Sequence, residues 1–247
     1  MIPLAPVRLK MTRINRYIAQ AGICSRRQAD RLVEEGSVMI NGVVAVPGAK
    51  VLAHDVVTVN GKAVDPPCED SHVYLAFHKP AGITCTSDLS RNDNIISYID
   101  YPTRIFTVGR LDRDSRGLIL LTDDGDIAYH LTRTAYGHEK EYLVTVDRPV
   151  TQDFIDGLRR GVPVLGTVTL PCRAWKSDER AFRIILTQGL NRQIRRMCEY
   201  FGYHVTDLLR TRIMHITLGS QPAGSWRHLT PKETEELMRL CEMKADR

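Results

Sequence analysis

The segment Gly109-Arg110-Leu111-Asp112-Arg113-Asp114-Ser115-Arg116-Gly117 constrains the chain more than any other. An apolar stretch, residues 105–108, leads into it, and the run Leu118-Ile119-Leu120-Leu121 leaves it. Two strands therefore bracket a loop packed with carboxylates and arginines. A charged loop of this kind is a solvated hairpin, an ion cage or a reaction site. A calcium cage is excluded by position. Asp112, Asp114 and Gly117 fall where such a loop needs them, but Arg116 puts a cation inside the cage and the flanks read as strands instead of helices.

Apolar runs elsewhere are also very short, far from the roughly 20 residues that span a membrane. No apolar stretch follows the N-terminal cations, so no secretory signal is read. The expectation is a cytoplasmic protein without membrane contact. At 247 residues, 43% hydrophobic and 26% charged, the chain is an ordinary globular sequence of one large or two modest domains. The six cysteines (24, 68, 85, 172, 198 and 241) include no C-x-x-C pair and no zinc spacing. They read as free thiols in a reducing compartment. No metal or cofactor is expected.

Asp65-Pro66-Pro67-Cys68-Glu69-Asp70 reads as a linker. It divides the chain into an N-terminal extension (1–11), a small unit (12–66), the linker (67–72) and a larger unit (73–247). Residues 1–66 hold nine Lys/Arg against five Asp/Glu, and the remainder 25 against 24, so the extension and small unit together carry most of the net +5. Arginine outnumbers lysine 26 to 8, which suits bidentate phosphate contacts.

In the small unit, Ile14, Tyr17, Ile18 and Ala21 follow helical spacing until Gly22. Ser25-Arg26-Arg27-Gln28 reads as a capping box opening a second helix, with Ala29, Leu32 and Val33 inward and Gly36 at its end. Val38 and Ile40, then Val44 and Val46, flank an Asn41-Gly42 hairpin signal, and residues 56–59 meet a second one at Asn60-Gly61. Arg26 and Arg27 stand in the opening turn of a helix, where its dipole disfavours cations. That placement implies an outside demand. Helix N-termini hold phosphates, and with Arg13, Arg16 and Arg31 nearby the reading is contact with an RNA or DNA backbone, against that of a merely solvated basic face. The stretch INRYIAQAGICSRRQADRLVEEGSVMINGVVA resembles an S4-type RNA-binding module.

In the larger unit, strands are predicted at 73–78, 105–108 and 118–122 and along the alternating Tyr142, Val144 and Val146. Helices are predicted at 126–133, 151–160, 191–201 and 231–243. The class is α+β with a largely antiparallel sheet. On a wheel of 191–201, Ile194, Met197, Cys198 and Phe201 share an apolar face opposite a basic one, Arg196 lies well out, and Arg195 lies at the border.

The string from Gly109 to Asp124-Gly125 resembles the catalytic signature of pseudouridine synthases of the small-subunit (Rsu) and related large-subunit branch. Three further motifs agree in order: His78-Lys79-Pro80-Ala81-Gly82, His138-Glu139-Lys140-Glu141-Tyr142 and Gly189-Leu190-Asn191-Arg192-Gln193-Ile194-Arg195-Arg196-Met197. The stretch HEKEYLVTVDRPVT…GVPVLGTVT resembles the large-subunit (23S) rRNA subgroup F. The resemblance implies a pseudouridine synthase fold behind an S4-like module. It also implies isomerisation of a uridine in 23S ribosomal RNA without a cofactor. In the roles it carries over, Asp112 is the catalytic carboxylate, Tyr142 packs on the uracil and takes part in proton transfer at C5, and Arg195 pairs with a buried, ionised Asp112. Arg110 holds the place of the flipped nucleotide, and Lys79, Arg192 and Arg196 bind substrate. A monomer acting on a ribosomal RNA stem-loop is expected, with tRNA left open as a further substrate. The competing readings are a non-catalytic RNA-binding assembly factor, which the intact Gly-Arg-Leu-Asp string disfavours, and a carboxylate-dependent nuclease, which lacks a second placed acid.

Overall fold

The computed structural model describes residues 11–65, 72–88 and 90–245, with side chains to Cys241. The chain forms two compact units, Met1–His72 and Val73–Arg247. The linker reading falls almost wholly on residues outside those described, as do residues 1–10 of the predicted extension. Among the described residues no helix is long and apolar enough to cross a membrane.

In the first unit β1 (Thr12–Arg13) runs into α1 (Ile14–Gln20), followed by α2 (Arg26–Glu34) and the short strands β2 (Val38–Ile40), β3 (Val43–Val44), β4 (Lys50–Val51), β5 (Val57–Val59) and β6 (Lys62–Ala63). The capping box forms: Ser25 Oγ accepts from the Gln28 amide, and the Gln28 side chain accepts from the Ser25 amide. Such a cap is worth about 1 kcal/mol. Both Asn-Gly pairs have positive φ at both residues, 51° and 80° at 41–42 and 50° and 75° at 60–61, the backbone a two-residue hairpin requires. The resulting sheet, β3-β2-β5-β6, packs Val38, Val57 and Val59 on Ile14, Ile18, Ala29 and Val33, with Leu32 half-buried against them.

One sequence expectation has the opposite phase. Val44 and Val46 are exposed, and Ala45 between them is buried. The turn fixes Met39 opposite Val44, and opposed residues share a face. The exposed face of Met39 therefore takes Val44 with it.

The second unit contains β7 (Tyr74–Lys79), α3 (Ile95–Ile99), β8 (Phe106–Val108), β9 (Arg116–Thr122), α4 (Gly125–Thr132), β10 (Lys140–Val146), α5 (Gln152–Arg160), β11 (Pro163–Val164), β12 (Thr167–Val168), β13 (Arg173–Asp178), β14 (Ala181–Leu186), α6 (Gln193–Tyr200), β15 (Val205–Ile213), β16 (Ile216–Thr217), β17 (Trp226–His228) and α7 (Pro231–Ala245). Its main sheet runs β13-β14-β10-β15-β9-β7-β17, with β16 on β15 and β8 on β9. Every pairing in it is antiparallel except β15 with β9. The class is α+β, as the sequence predicts.

Helices cover both faces. Ile95, Phe154, Ile194 and Met197 pack on one face with Phe77, Ile119, Val144 and Phe182. Ala128, Leu131 and Leu237 pack on the other with Ala76, Leu118 and Leu120. The unbroken apolar run 118–121 is thus explained: β9 buries alternate residues on opposite faces, so every position must be apolar. The helix ends follow from their caps. Asp124 accepts from the amides of Asp126 and Ile127 to start α4, and Thr151 accepts from Phe154 to start α5.

One edge of β9 is shared, and this positions the site. β15 pairs only with Arg116 and Gly117, whereas β8 pairs with Leu120, Leu121 and Thr122. The two neighbours diverge, and the loop 109–115 occupies the gap. Gly117 lies directly against the Arg210 backbone, where an added Cβ would collide with the Arg210 nitrogen and carbonyl, and its φ is +111°. Only glycine suits that position.

Candidate active site

Asp112 opens a tight turn, in which the Ser115 amide donates to the Asp112 carbonyl at 3.1 Å. An Asp side chain in the first position favours such turns. The Lys79-Pro80-Ala81-Gly82 turn holds this loop from outside. The Gly82 amide donates to the Arg113 carbonyl (2.7 Å), Arg113 Nε donates to the Gly82 carbonyl (3.1 Å), and Lys79 Nζ donates to the Arg113 and Pro80 carbonyls. Asp93 braces the same arginine at 3.0 Å. On the other flank Arg116 makes a two-point ion pair with Asp207 of β15, at 2.8 and 2.6 Å.

Lys79 departs from its expected role. Its relative exposure is 0%, so it cannot bind substrate. Burial lowers the pKa of its amine, with Cys85, Asp114 and Asp112 opposing that shift. It is a peg beneath the Asp112 loop, because the inward end of β7 directs it to two carbonyls that need a donor.

The cleft beside this loop has a volume of about 510 Å³, within the range of small-ligand sites. Among its lining residues Asp112 is the one carboxylate, facing the cations Arg110, Arg113, Lys140, Arg192, Arg195 and Arg210. Tyr142 is the one aromatic ring in the wall. It lies on β10, directly opposite Arg210 on β15, so the two side chains share a face. Arg110 is exposed at the rim.

The ion pairing differs from that predicted. Arg195 is buried, but its Nη2 lies 3.1 Å from Asp114 Oδ2 and not on Asp112. It also donates to Ser115 Oγ and to the Val205 and Asp114 carbonyls. Arg192 is the cation nearest Asp112, with Nη1 at 3.8 Å from Asp112 Oδ2 and 3.3 Å from Asp114 Oδ1. The reason is backbone geometry. Arg192 caps α6 in a left-handed conformation, φ 50°, so it lies off the helical wheel and swings over the loop. Asp112 is about one-third exposed and not fully buried. For Asp114, burial works to raise the carboxyl, but Arg195 and Arg192 outweigh it and hold it below its ordinary range. Arg196 donates to the Asn191 carbonyl and side chain and stays out of the cleft wall.

Two wall residues, Arg210 and Lys140, have no assigned role in the sequence reading. Arg210 is 3% exposed and donates from Nε to the Leu118 carbonyl. Its one sequence signal is a cation two residues after Leu208, on the inward side of a mixed polar and apolar strand. In the first unit, Arg13, Arg26, Arg27 and Arg31 are exposed and Arg16 is half-buried. No acid stands in the first turn of α2 to offset Arg26 and Arg27. Among the described residues no group of three His, Cys, Asp or Glu side chains could hold a metal, and the described cysteines are all free.

One carboxylate among six cations, with a single ring in the wall, suits a site for an anionic substrate that carries a ring. Comparison with known proteins gives the particular family. Residues 73–200 match the RNA pseudouridylate synthase family, and residues 12–57 match the S4 domain. The chain is 53% identical over 231 residues to the dual-specificity RNA pseudouridine synthase RluF of Salmonella typhi, covering 94% of this chain and 80% of that one. It is 33% identical to the ribosomal large subunit pseudouridine synthase B of Bacillus subtilis, covering 94% and 98%. A crystal structure of a pseudouridylate synthase superposes with a TM-score of 0.67 at 29% identity, covering 91% of this chain and 99% of the other. The chain belongs to the RNA pseudouridine synthase family and carries an S4 domain; it is an isomerase acting on uridine in RNA.

Proposed function

We propose that this enzyme converts a specific uridine of 23S ribosomal RNA to pseudouridine in the cytoplasm, as a monomer, and accepts tRNA as a second substrate. The 50–53% identity to dual-specificity enzymes supports more than one RNA substrate. The observation that carries the catalytic assignment is Asp112, the sole carboxylate of the cleft, presented by a braced turn.

The reaction needs a nucleotide turned out of its helix or loop, which costs a few kcal/mol and is cheapest in unpaired RNA. Arg110 fills the vacated place, and Arg192 meets the flanking phosphate beside Asp112. Asp112 attacks or stabilises C1′ as the N1–C1′ bond breaks. Tyr142 packs on the uracil while it turns and takes part in removing the C5 proton. Arg195 holds the loop through Asp114 and Ser115. The small unit, residues 12–66, grips the RNA backbone through Arg13, Arg16, Arg26, Arg27 and Arg31, and residues 73–247 perform the chemistry.

RNA carrying tritium at uridine C5 tests the assignment. The wild type releases tritium without cutting the strand, and Asp112→Asn releases none while binding RNA normally. Substantial turnover by that variant would remove Asp112 from the chemistry; strand cleavage by the wild type would mean a nuclease.

A further inference from the structure

Two cations in the cleft wall, one buried and one half-buried, lack the carboxylate partners that desolvated charges ordinarily require. Arg210 is 3% exposed. Its Nε donates to the Leu118 carbonyl at 2.6 Å and its Nη1 reaches the Arg110 carbonyl at 3.5 Å. Its Nη2 is sealed from solvent and makes no hydrogen bond. Lys140 stands two residues before Tyr142 on β10 and therefore on the same face. Its amine donates to the His138 carbonyl at 3.2 Å. Neither side chain has a carboxylate in ion-pair range among the described residues; the electrostatic neighbour Lys140 does have is Arg210, a like charge. Burial, and then Arg210, lower the amine's pKa to about 8. An unpaired buried charge is costly, and here a buried arginine stands beside a half-buried lysine.

The cleft suggests what they await. Tyr142 is the only ring in the wall, and a base entering the cleft stacks on it, as bases do on aromatic side chains. Arg210 lies opposite that ring and Lys140 beside it, so the edge of a stacked uracil meets both. On breaking of the N1–C1′ bond the base leaves with the electron pair, as an anion whose charge lies largely on O2 and O4. It turns, C5 bonds to C1′, the C5 proton is lost and N1 gains one, so product and substrate remain isomers.

We propose that Arg210 and Lys140 form a cationic floor that binds the detached uracil as an anion through its carbonyl oxygens. The proposal rests on the pseudouridine synthase reading and adds a role for the leaving base, whereas Asp112 serves the sugar. Fixed donors aimed at developing charge in a site closed to water are the most effective way to stabilise it.

The experiment is the single-turnover reaction of a 23S rRNA fragment bearing either uridine or 5-fluorouridine at the position the wild type modifies, read by nucleoside chromatography as disappearance of the starting nucleoside, because the fluorinated base keeps its C5 fluorine and stops at the rearranged C-glycoside. 5-Fluorouracil is the more acidic base and needs less help to depart as an anion. Arg210→Met and Lys140→Met are expected to slow uridine conversion by about 100-fold at saturating RNA. The loss with 5-fluorouridine is expected to be about tenfold smaller. Arg210→Lys, which keeps the charge, recovers most of the rate. Equal losses on both substrates would overturn the proposal, because a role confined to holding the Leu118 and Arg110 carbonyls is indifferent to leaving-group acidity. Unimpaired turnover by both methionine variants would also overturn it. If Arg210→Met does not fold, Lys140→Met alone decides. A wild type that converts no uridine overturns the function itself.

Discussion

Arg195 and Arg196 are neighbours on one helix with different work. Arg195 is buried and joins Asp114, Ser115 and the Val205 carbonyl; Arg196 is tied to Asn191. Arg195→Met should therefore let the Asp112 loop drift. A misplacement of about 1 Å costs on the order of 100-fold in rate, and that loss should appear at saturating RNA. Arg196→Met should leave saturated turnover nearly unchanged. Single-turnover rates across RNA concentration separate the two, and a pure affinity loss in both would mean that Arg195 does not position the loop. Lys140 makes a prediction about stability and pH. Its folded-state pKa, about 8, lies below the ordinary lysine value of 10.5. Between those values the unfolded chain binds more protons, so stability rises with pH across that window. Below pH 8 the half-buried ammonium carries the full penalty, on the order of a few kcal/mol. Lys140→Met should therefore be more stable than wild type at pH 7, with the gap closing toward pH 10. Urea melts at the two pH values check this; a gap that does not change with pH would mean that the amine is not desolvated.

Among the elements, the junction of β9 and β15 carries the site. Gly117 and Arg210 are paired there, and the same close approach that brings Arg210 under Tyr142 leaves no room for a Cβ on Gly117. Gly117→Ala adds that collision to a left-handed backbone strain of about 1–3 kcal/mol. It should lower the melting temperature and reduce activity beyond what the lost stability explains, because β15 must move away from the loop. A variant with wild-type melting and turnover would show that the strands can part freely. The glycine of the motif is readable in sequence, but its reason is not. The partner strand, residues 205–213, lies almost a hundred residues further on, and its apolar alternation is broken by Arg210 and Arg212. Likewise β13, β14 and α3 have no strong local signal, since their pairing and burial are set by neighbours distant in the chain.

For the whole molecule, charge and its distribution govern RNA affinity. Exposed Arg13, Arg26, Arg27 and Arg31 lie within residues 1–66, which carry most of the net positive charge. Replacing all four with Gln should weaken RNA binding and reduce the slope of log affinity against log salt by up to about 3, at roughly 0.7 per single-strand phosphate contact. Saturated turnover should remain close to wild type. Filter binding across salt concentration tests this, and an unchanged slope would mean that the small unit does not touch the backbone. Local patterns alone determined much of this protein: the capping box at Ser25, both Asn-Gly turns, the alternation of Tyr142, Val144 and Val146, and the Asp112 loop between apolar strands. Each depends on residues a few positions apart, whose conformational preferences act locally. The tertiary structure alone decided that Lys79 is a buried peg, that Arg195 meets Asp114 while Arg192 faces Asp112, and that Arg210 and Lys140 lie unpaired beside Tyr142. Those outcomes depend on which strands pair and which way a cap residue swings, and the partner of a charge is set by distance in space, to which distance along the chain is no guide.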